Sequence, residues 1–206
     1  MKLWLKICGI TSLKDAEDCS RAGVNALGFN FYRKSRRYIP PSTAARIIRR
    51  LDSGVIPVGV FVNETRDEIV KTIHETGIRM IQLSGDERPM ECTGYTQEVI
   101  KAVRIRHRCD LEQVAAYGVN LVLLDGAPFG VFGGSGQLPD LEIARSLQKE
   151  RRLVVAGGIG PENVATLLHR VHPYGIDVNS GVERSPGIKD REKVDRLCRI
   201  VKHLEE

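Results

Sequence analysis

The sequence predicts an α/β fold, a single (β/α)8 barrel that fills residues 1–206 as one domain. Three observations support it. Short aliphatic runs recur eight times, capped amphipathic stretches lie between them, and 206 residues over eight repeats is about 26 per unit, close to the least a strand–helix unit needs. An open doubly wound sheet shares this local pattern and stands as the alternative. No GxGxxG follows the first run, however, where a dinucleotide-binding fold would place it.

The runs are Leu3–Cys8, Ala26–Phe31, Ile56–Phe61, Met80–Leu83, Val99–Val103, Val119–Leu124, Leu153–Ala156 and Ile176–Val178. They are continuous rather than alternating, which is how parallel strands buried on both faces read. Between them, Ser12 caps a helix that closes at Gly23, Ser42 opens one after Pro40-Pro41, and Asn63 opens one that ends at Gly77. Shorter helical stretches are expected at Arg88–Tyr95, Leu111–Tyr117, Leu141–Glu150 and Glu162–Val171, and a last one at Arg191–Leu204.

Composition excludes several classes. Hydrophobic residues are 42% and charged residues 28% of the chain, a balance that builds a packed core and rules out disorder throughout. The formal net charge of +5 is mild and interspersed with acids, whereas nucleic-acid binding rewards basic side chains clustered on one face. No apolar run approaches the ~20 residues of a spanning helix, and MKLWLKICGI turns polar too early for a secretory leader. A cytoplasmic protein with no membrane or nucleic-acid partner is expected, as a monomer or homodimer. Cys8, Cys19, Cys92, Cys109 and Cys198 are odd in number and lack a CxxC pair, so reduced thiols are expected rather than a disulfide framework or a zinc ribbon. His74, His107, His169, His172 and His203 fall mostly in helical stretches and their connections. None pairs at metal-ligand spacing with a second ligand at a strand end, which argues against a zinc or iron enzyme.

In such a barrel the chemistry sits at the C-terminal ends of the strands. Those positions hold Cys8, Arg37 in the loop after the second run, Ser84, Asp125, Gly157-Gly158 and Asn179-Ser180-Gly181. This is the equipment for proton transfer on a phosphate-bearing molecule: a thiol, a fixed cation, an acid and glycine turns. AGGIG after the seventh run and IDVNSGVE after the eighth are candidate phosphate loops, because glycine lets backbone N–H groups approach an anion closely. Taken singly, Gly157, Gly158 and Gly181 only turn the chain; the two loops together at this place suggest more. Cys8 is either a buried structural thiol or a base whose proton affinity a neighbouring charge adjusts. Asp125 directly follows four strand residues and is either a turn residue or the acid partner across the barrel mouth. In FYRKSRRYIPP one arginine suits a substrate carboxylate through its planar fork, and the segment alone does not say which. GGSG at 133–136 is a flexible loop or a lid.

Read together, these segments resemble the phosphoribosylanthranilate isomerase family. The matching pieces are KICGIT (Lys6–Thr11), GFNFYRKSRRYI (Gly28–Ile39), VGVFVNE (Val58–Glu64), IQLSGDE (Ile81–Glu87), LLD (Leu123–Asp125), GGSG (Gly133–Gly136), AGGIGPENV (Ala156–Val164) and DVNSGVERSPGIKD (Asp177–Asp190). They run in order over nearly the whole chain, and KICGIT with DVNSGVE and PGIKD is the specific combination. The resemblance implies an Amadori rearrangement of N-(5-phosphoribosyl)anthranilate, a small phosphosugar, in tryptophan biosynthesis. It implies Cys8 as the base that removes the C2′ proton and Asp125 as the acid that protonates the ribose ring oxygen. It implies Arg37 on the anthranilate carboxylate, Gly157, Gly158, Ser180 and Gly181 in the phosphate loops, and Asp177 lining the pocket.

The chain departs from the family's usual pattern in three places. Ser84 stands where QLHG has histidine, Gln137-Leu138-Pro139-Asp140-Leu141 follows GGSG in place of an aromatic-Asp-Trp stretch, and Asn179 replaces a serine. Two other readings compete. An indole-glycerol-phosphate synthase would require catalytic lysine and glutamate residues not located at the strand ends. A basic binding module would use Arg33, Lys34, Arg36 and the arginines at 46, 49 and 50, and would show affinity falling steeply with salt.

Overall fold

A computed structural model describes residues 2–105, 110–126 and 137–205. The expected GGSG lid, Cys109 and His107 lie outside the described residues. The strands are β1 (Trp4–Ile7), β2 (Ala26–Asn30), β3 (Ile56–Phe61), β4 (Met80–Leu83), β5 (Glu98–Val103), β6 (Leu121–Asp125), β7 (Arg152–Ala156) and β8 (Gly175–Val178). They form a closed barrel in chain order, each paired in parallel with its neighbours and β8 returning to β1. Closure bears out the predicted barrel over the open sheet, which shares its local pattern.

Helices α1 (Leu13–Ala22), α2 (Pro41–Ile48), α3 (Arg66–Thr76), α4 (Leu111–Ala115), α5 (Leu141–Leu147), α6 (Val164–Arg170) and α7 (Arg191–Glu205) pack outside. Ser12 caps α1 by accepting the Asp15 N–H, and Gly23 closes it in the left-handed conformation. Three helix expectations are corrected. Helix α2 begins at Pro41, not Ser42, because proline has no N–H to leave orphaned at a first turn. The cap of α3 is Thr65 rather than Asn63, whose Oδ1 instead accepts the Asp86 N–H at 2.6 Å and ties the β3 loop to the β4 loop. The stretch after β4 makes only a 3-10 turn, Pro89–Cys92, with Arg88 closed on Glu91. The strand expected at Val119–Leu124 is shifted to Leu121–Asp125, with Val119 buried beneath it.

The core is divided by the strands' two-residue alternation. One set of side chains, including Ile7, Leu27, Phe29, Ile81, Val122 and Val155, packs between barrel and helices. The other set, including Trp4, Ala26, Val58, Met80, Ile100, Leu121 and Val154, fills the barrel interior. Counting upward in steps of two along this second set leads to the barrel mouth. No described helix is long and apolar enough to cross a membrane.

Candidate active site

The alternation that fills the interior also builds the mouth. On β1, Trp4 is followed by Lys6 and Cys8. On β6, Leu121 and Leu123 lead to Asp125. On β8, Asp177 is followed by Asn179. Ala26 leads to Asn30, Met80 to Gln82 and Ser84, and Ile100 through Ala102 to Arg104. Cys8, Asp125, Asp177, Asn179, Gln82, Ser84 and Arg104 all line one cavity of about 80 Å3 at the C-terminal ends of the strands. Strand register fixes their heights: Asp125 is level with Ala156, Ala156 with Asp177, and Asp177 with Lys6.

Lys6 lies wholly buried, its Nζ 2.9 Å from Asp177 Oδ2. Among the described residues Asp177 Oδ1 makes no hydrogen bond, which leaves an acceptor on the cavity wall. Burial works against charge on Lys6, but Asp177 and Cys8 outweigh it and hold the ammonium pKa above its ordinary value. Cys8 is buried at the top of this pair, and burial pushes its thiol up, with Lys6 only partly offsetting that. A positive neighbour does exist, as a lowered thiol would require, but desolvation is the larger effect. Gly28 supplies the room, because a Cβ there would sit 2.7 Å from Cys8 Sγ and 3.1 Å from Lys6 Cε.

The two glycine loops meet backbone to backbone. Gly157 and Gly158 have φ of +101° and +57°, the left-handed region. A Cβ on Gly157 would strike the Gln137 carbonyl at 2.2 Å, and one on Gly181 would strike the Ile159 carbonyl at 2.0 Å. Asn163 pins the first loop, donating to the Gly158 carbonyl at 2.8 Å and accepting the Gly160 N–H at 2.9 Å. Gly157, Gly158 and Ser180 border the cavity that holds Cys8 and Asp125; Gly181 lies just behind, packed on the first loop.

Arg37 is placed differently from the rest. It does not border the cavity; its Nε donates to both oxygens of Glu183 at 2.9 and 3.1 Å, and its Nη2 to Oε2 at 2.7 Å. It packs beside Gly9, where a Cβ would lie 2.7 Å from Arg37 Cδ and 2.8 Å from Asn179 Oδ1. Glu183 begins a short hairpin, β9 (Glu183–Ser185) and β10 (Ile188–Lys189). It also accepts from Lys189 Nζ at 2.9 Å and from the Gly187 N–H at 3.1 Å, while Lys189 reaches Asn179 Oδ1 at 3.0 Å.

Sequence reasoning assigned no role to Lys6, Glu183, Lys189, Gln82, Asn30 or Arg104. Lys6, Glu183 and Lys189 stand inside the quoted segments KICGIT and DVNSGVERSPGIKD, so their presence was visible but their contacts were not. Asn30, Gln82 and Arg104 had a readable signal, since each continues the interior alternation of its strand past the last apolar residue.

Replacing Glu183 by glutamine leaves Arg37 and Lys189 without their shared counter-charge, at a cost of about 3–5 kcal/mol for a broken buried pair. A clear drop in the urea midpoint of Glu183→Gln is expected; an unchanged midpoint would show the network to be dispensable. The pH dependence has a definite sign. Burial raises the Glu183 carboxyl, but the Arg37 and Lys189 contacts outweigh it and hold it below 4.5. Its contribution is therefore complete at neutral pH and is lost as pH falls through that lowered value.

No group of three or more His, Cys, Asp or Glu side chains among the described residues is placed to hold a metal ion. The family model for N-(5′-phosphoribosyl)anthranilate (PRA) isomerase matches residues 5–199. An N-(5′-phosphoribosyl)anthranilate isomerase of Geobacter sp. strain M21 is 46% identical over 200 residues, covering 97% of this chain and 98% of its own. The crystal structure of phosphoribosyl anthranilate isomerase from Thermotoga maritima matches with a TM-score of 0.90 at 36% identity, over 98% of this chain and 99% of that one. A phosphoribosyl anthranilate isomerase solved in complex with reduced 1-(o-carboxyphenylamino)-1-deoxyribulose 5-phosphate matches with a TM-score of 0.87 at 36% identity, over 98% and 99% of the two chains. With the barrel closed, a thiol and a carboxylic acid on one cavity and the match running almost end to end, the chain belongs to the N-(5′-phosphoribosyl)anthranilate isomerase family and is an isomerase of tryptophan biosynthesis.

Proposed function

We propose that the chain converts N-(5-phosphoribosyl)anthranilate to 1-(2-carboxyphenylamino)-1-deoxyribulose 5-phosphate, with Cys8 as general base and Asp125 as general acid. The observation that supports this most is their common cavity, bordered on one side by the Gly157-Gly158 and Ser180 loops. Asp125 gives a proton to the ribose ring oxygen while the anthranilate nitrogen pushes the C1′–O bond open, leaving an iminium. The Cys8 thiolate then takes the C2′ proton, and the resulting enol settles as the C2′ ketone. No external oxidant or reductant enters, since hydrogen only moves from C2′ to C1′ within one molecule.

Phosphate is held by Gly157, Gly158, Ser180 and Gly181, whose close backbones leave space for an anion rather than for side chains. Asp177 faces the sugar with its second oxygen while Lys6 anchors the first. Arg37 takes the anthranilate carboxylate with the guanidinium edge that Glu183 does not engage. The protein acts in the cytoplasm on this small phosphosugar, without a cofactor.

A coupled assay with freshly made phosphoribosylanthranilate tests the reaction directly, and its pH profile tests the base. Because burial raises the Cys8 thiol, the thiolate is the minor form at neutral pH and grows about tenfold per unit below the thiol's pKa. The ratio kcat/KM is expected to climb from about pH 6 to about pH 9. No turnover would dismiss the assignment; turnover with a flat profile would dismiss Cys8 as its base.

A further inference from the structure

We propose that Asn179 is a further catalytic residue, whose side-chain N–H donates to the C2′ oxygen of the substrate, and that Lys189 holds it in that orientation. This rests on the isomerase chemistry in which Cys8 takes the C2′ proton.

Strand register sets the height of the asparagine. Ile7 of β1 is paired with Val178 of β8, and the Cys8 N–H continues the ladder by donating to the Val178 carbonyl at 2.9 Å. Cys8 and Asn179 are the next residues along the two chains, so they stand side by side, and both border the cavity. A group beside the thiol that removes the C2′ proton is also beside the oxygen that C2′ carries. Gly9 leaves room for the amide, since a Cβ there would lie 2.8 Å from Asn179 Oδ1.

The chemistry of Lys189 sets the orientation. An ammonium has three donors and no acceptor, so the end of an amide that meets it is the oxygen. Lys189 Nζ donates to Asn179 Oδ1 at 3.0 Å and, buried, is itself anchored by Glu183 Oε1 at 2.9 Å. With Oδ1 turned to the lysine, Nδ2 occupies the other end of the amide. Among the described residues Nδ2 meets no acceptor, yet it is not sealed from water, so a ligand can reach it. The family's usual serine is shorter and its hydroxyl rotates, whereas the asparagine found here offers a donor of fixed direction.

The C2′ oxygen begins as a hydroxyl and ends as the ketone. In the last step this oxygen gives up its proton while C1′ gains one, and negative charge gathers on the oxygen as its O–H bond weakens. A donor already aimed at that atom stabilises the charge without reorganising.

The test uses the full chain and two ligands, titrated calorimetrically. One is reduced 1-(o-carboxyphenylamino)-1-deoxyribulose 5-phosphate, whose C2′ oxygen is a hydroxyl; the other is the same compound lacking that oxygen. The ratio of their dissociation constants isolates the contact with the C2′ oxygen. Wild type is expected to favour the oxygenated compound by about 3- to 10-fold, the range for a neutral hydrogen bond. Asn179→Ala should lose most of that preference and lower kcat by about tenfold, and Asn179→Ser should fall between. Lys189→Met frees the amide to turn and should also shrink the ratio, whatever it does to overall affinity through Glu183. A ratio retained in Asn179→Ala overturns the contact, and an unchanged kcat in that variant overturns its part in catalysis. A ratio retained in Lys189→Met overturns the positioning role of the lysine. Wild type that binds neither compound overturns the isomerase reading itself. Matching thermal midpoints for the four proteins establish that each comparison is made on folded protein.

Discussion

Cys8→Ala is expected to lower kcat by about 10²-fold or more, the usual contribution of a positioned proton-transfer group. The proposed mechanism gives the C2′ proton to this thiol. It is buried on the inner face of the mouth, in the cavity that Asp125 and the Gly157-Gly158 and Ser180 loops share. Lys6 below it favours the thiolate, and Gly28 beside it leaves space that any side chain would close. The substitution removes one sulfur atom from a folded barrel, so the fold should persist and the loss should fall on turnover. Binding of the reduced product analogue should stay within about threefold of wild type, because the role proposed for Cys8 is proton transfer rather than recognition. Cys8→Ser is a sharper comparison, since it keeps the shape but replaces the thiol by a far weaker acid. Activity in Cys8→Ser close to wild type would mean that another group removes the proton.

Asp125→Asn should be comparably severe, with kcat falling by about 10²- to 10⁴-fold. An amide keeps the size and the position at the end of β6 but cannot deliver a proton to the ring oxygen. Ring opening should then become the slow step, and the rise of kcat/KM with pH due to Cys8 should flatten, because the thiol no longer limits the rate. The combined profile distinguishes the two roles: loss of the base lowers the rate at every pH, while loss of the acid also erases the thiol's imprint. An Asp125→Asn enzyme with an unchanged pH profile and near-normal turnover would remove Asp125 from the mechanism.

Much of the barrel was legible in the chain. The runs Ile56–Phe61 and Met80–Leu83 coincide with β3 and β4, since residues buried on both faces of a sheet leave a continuous apolar signal. Helix ends were legible where a side chain satisfied its own backbone, as Ser12 does, and illegible where a long-range contact competed. Asn63 looked like a cap because asparagine caps well, yet its amide is used by the Asp86 N–H, 23 residues away. The same competition hid the partner of Arg37, because Glu183 lies 146 residues downstream.

By itself the sequence determined the repeat and the residue types at the strand ends, among them a thiol, an acid and two glycine loops. These follow from local composition and from the alternation of side chains along a strand. Only the tertiary structure decided that the sheet closes, that Lys6 and Asp177 meet beneath Cys8, and that Arg104 rather than Arg37 borders the cavity. Closure and ion pairing depend on which residues the fold makes neighbours and on how much water it removes between them. Burial sets the proton affinity of Cys8 more strongly than the adjacent charge, and burial is a property of the packed barrel, not of KIC read along the chain.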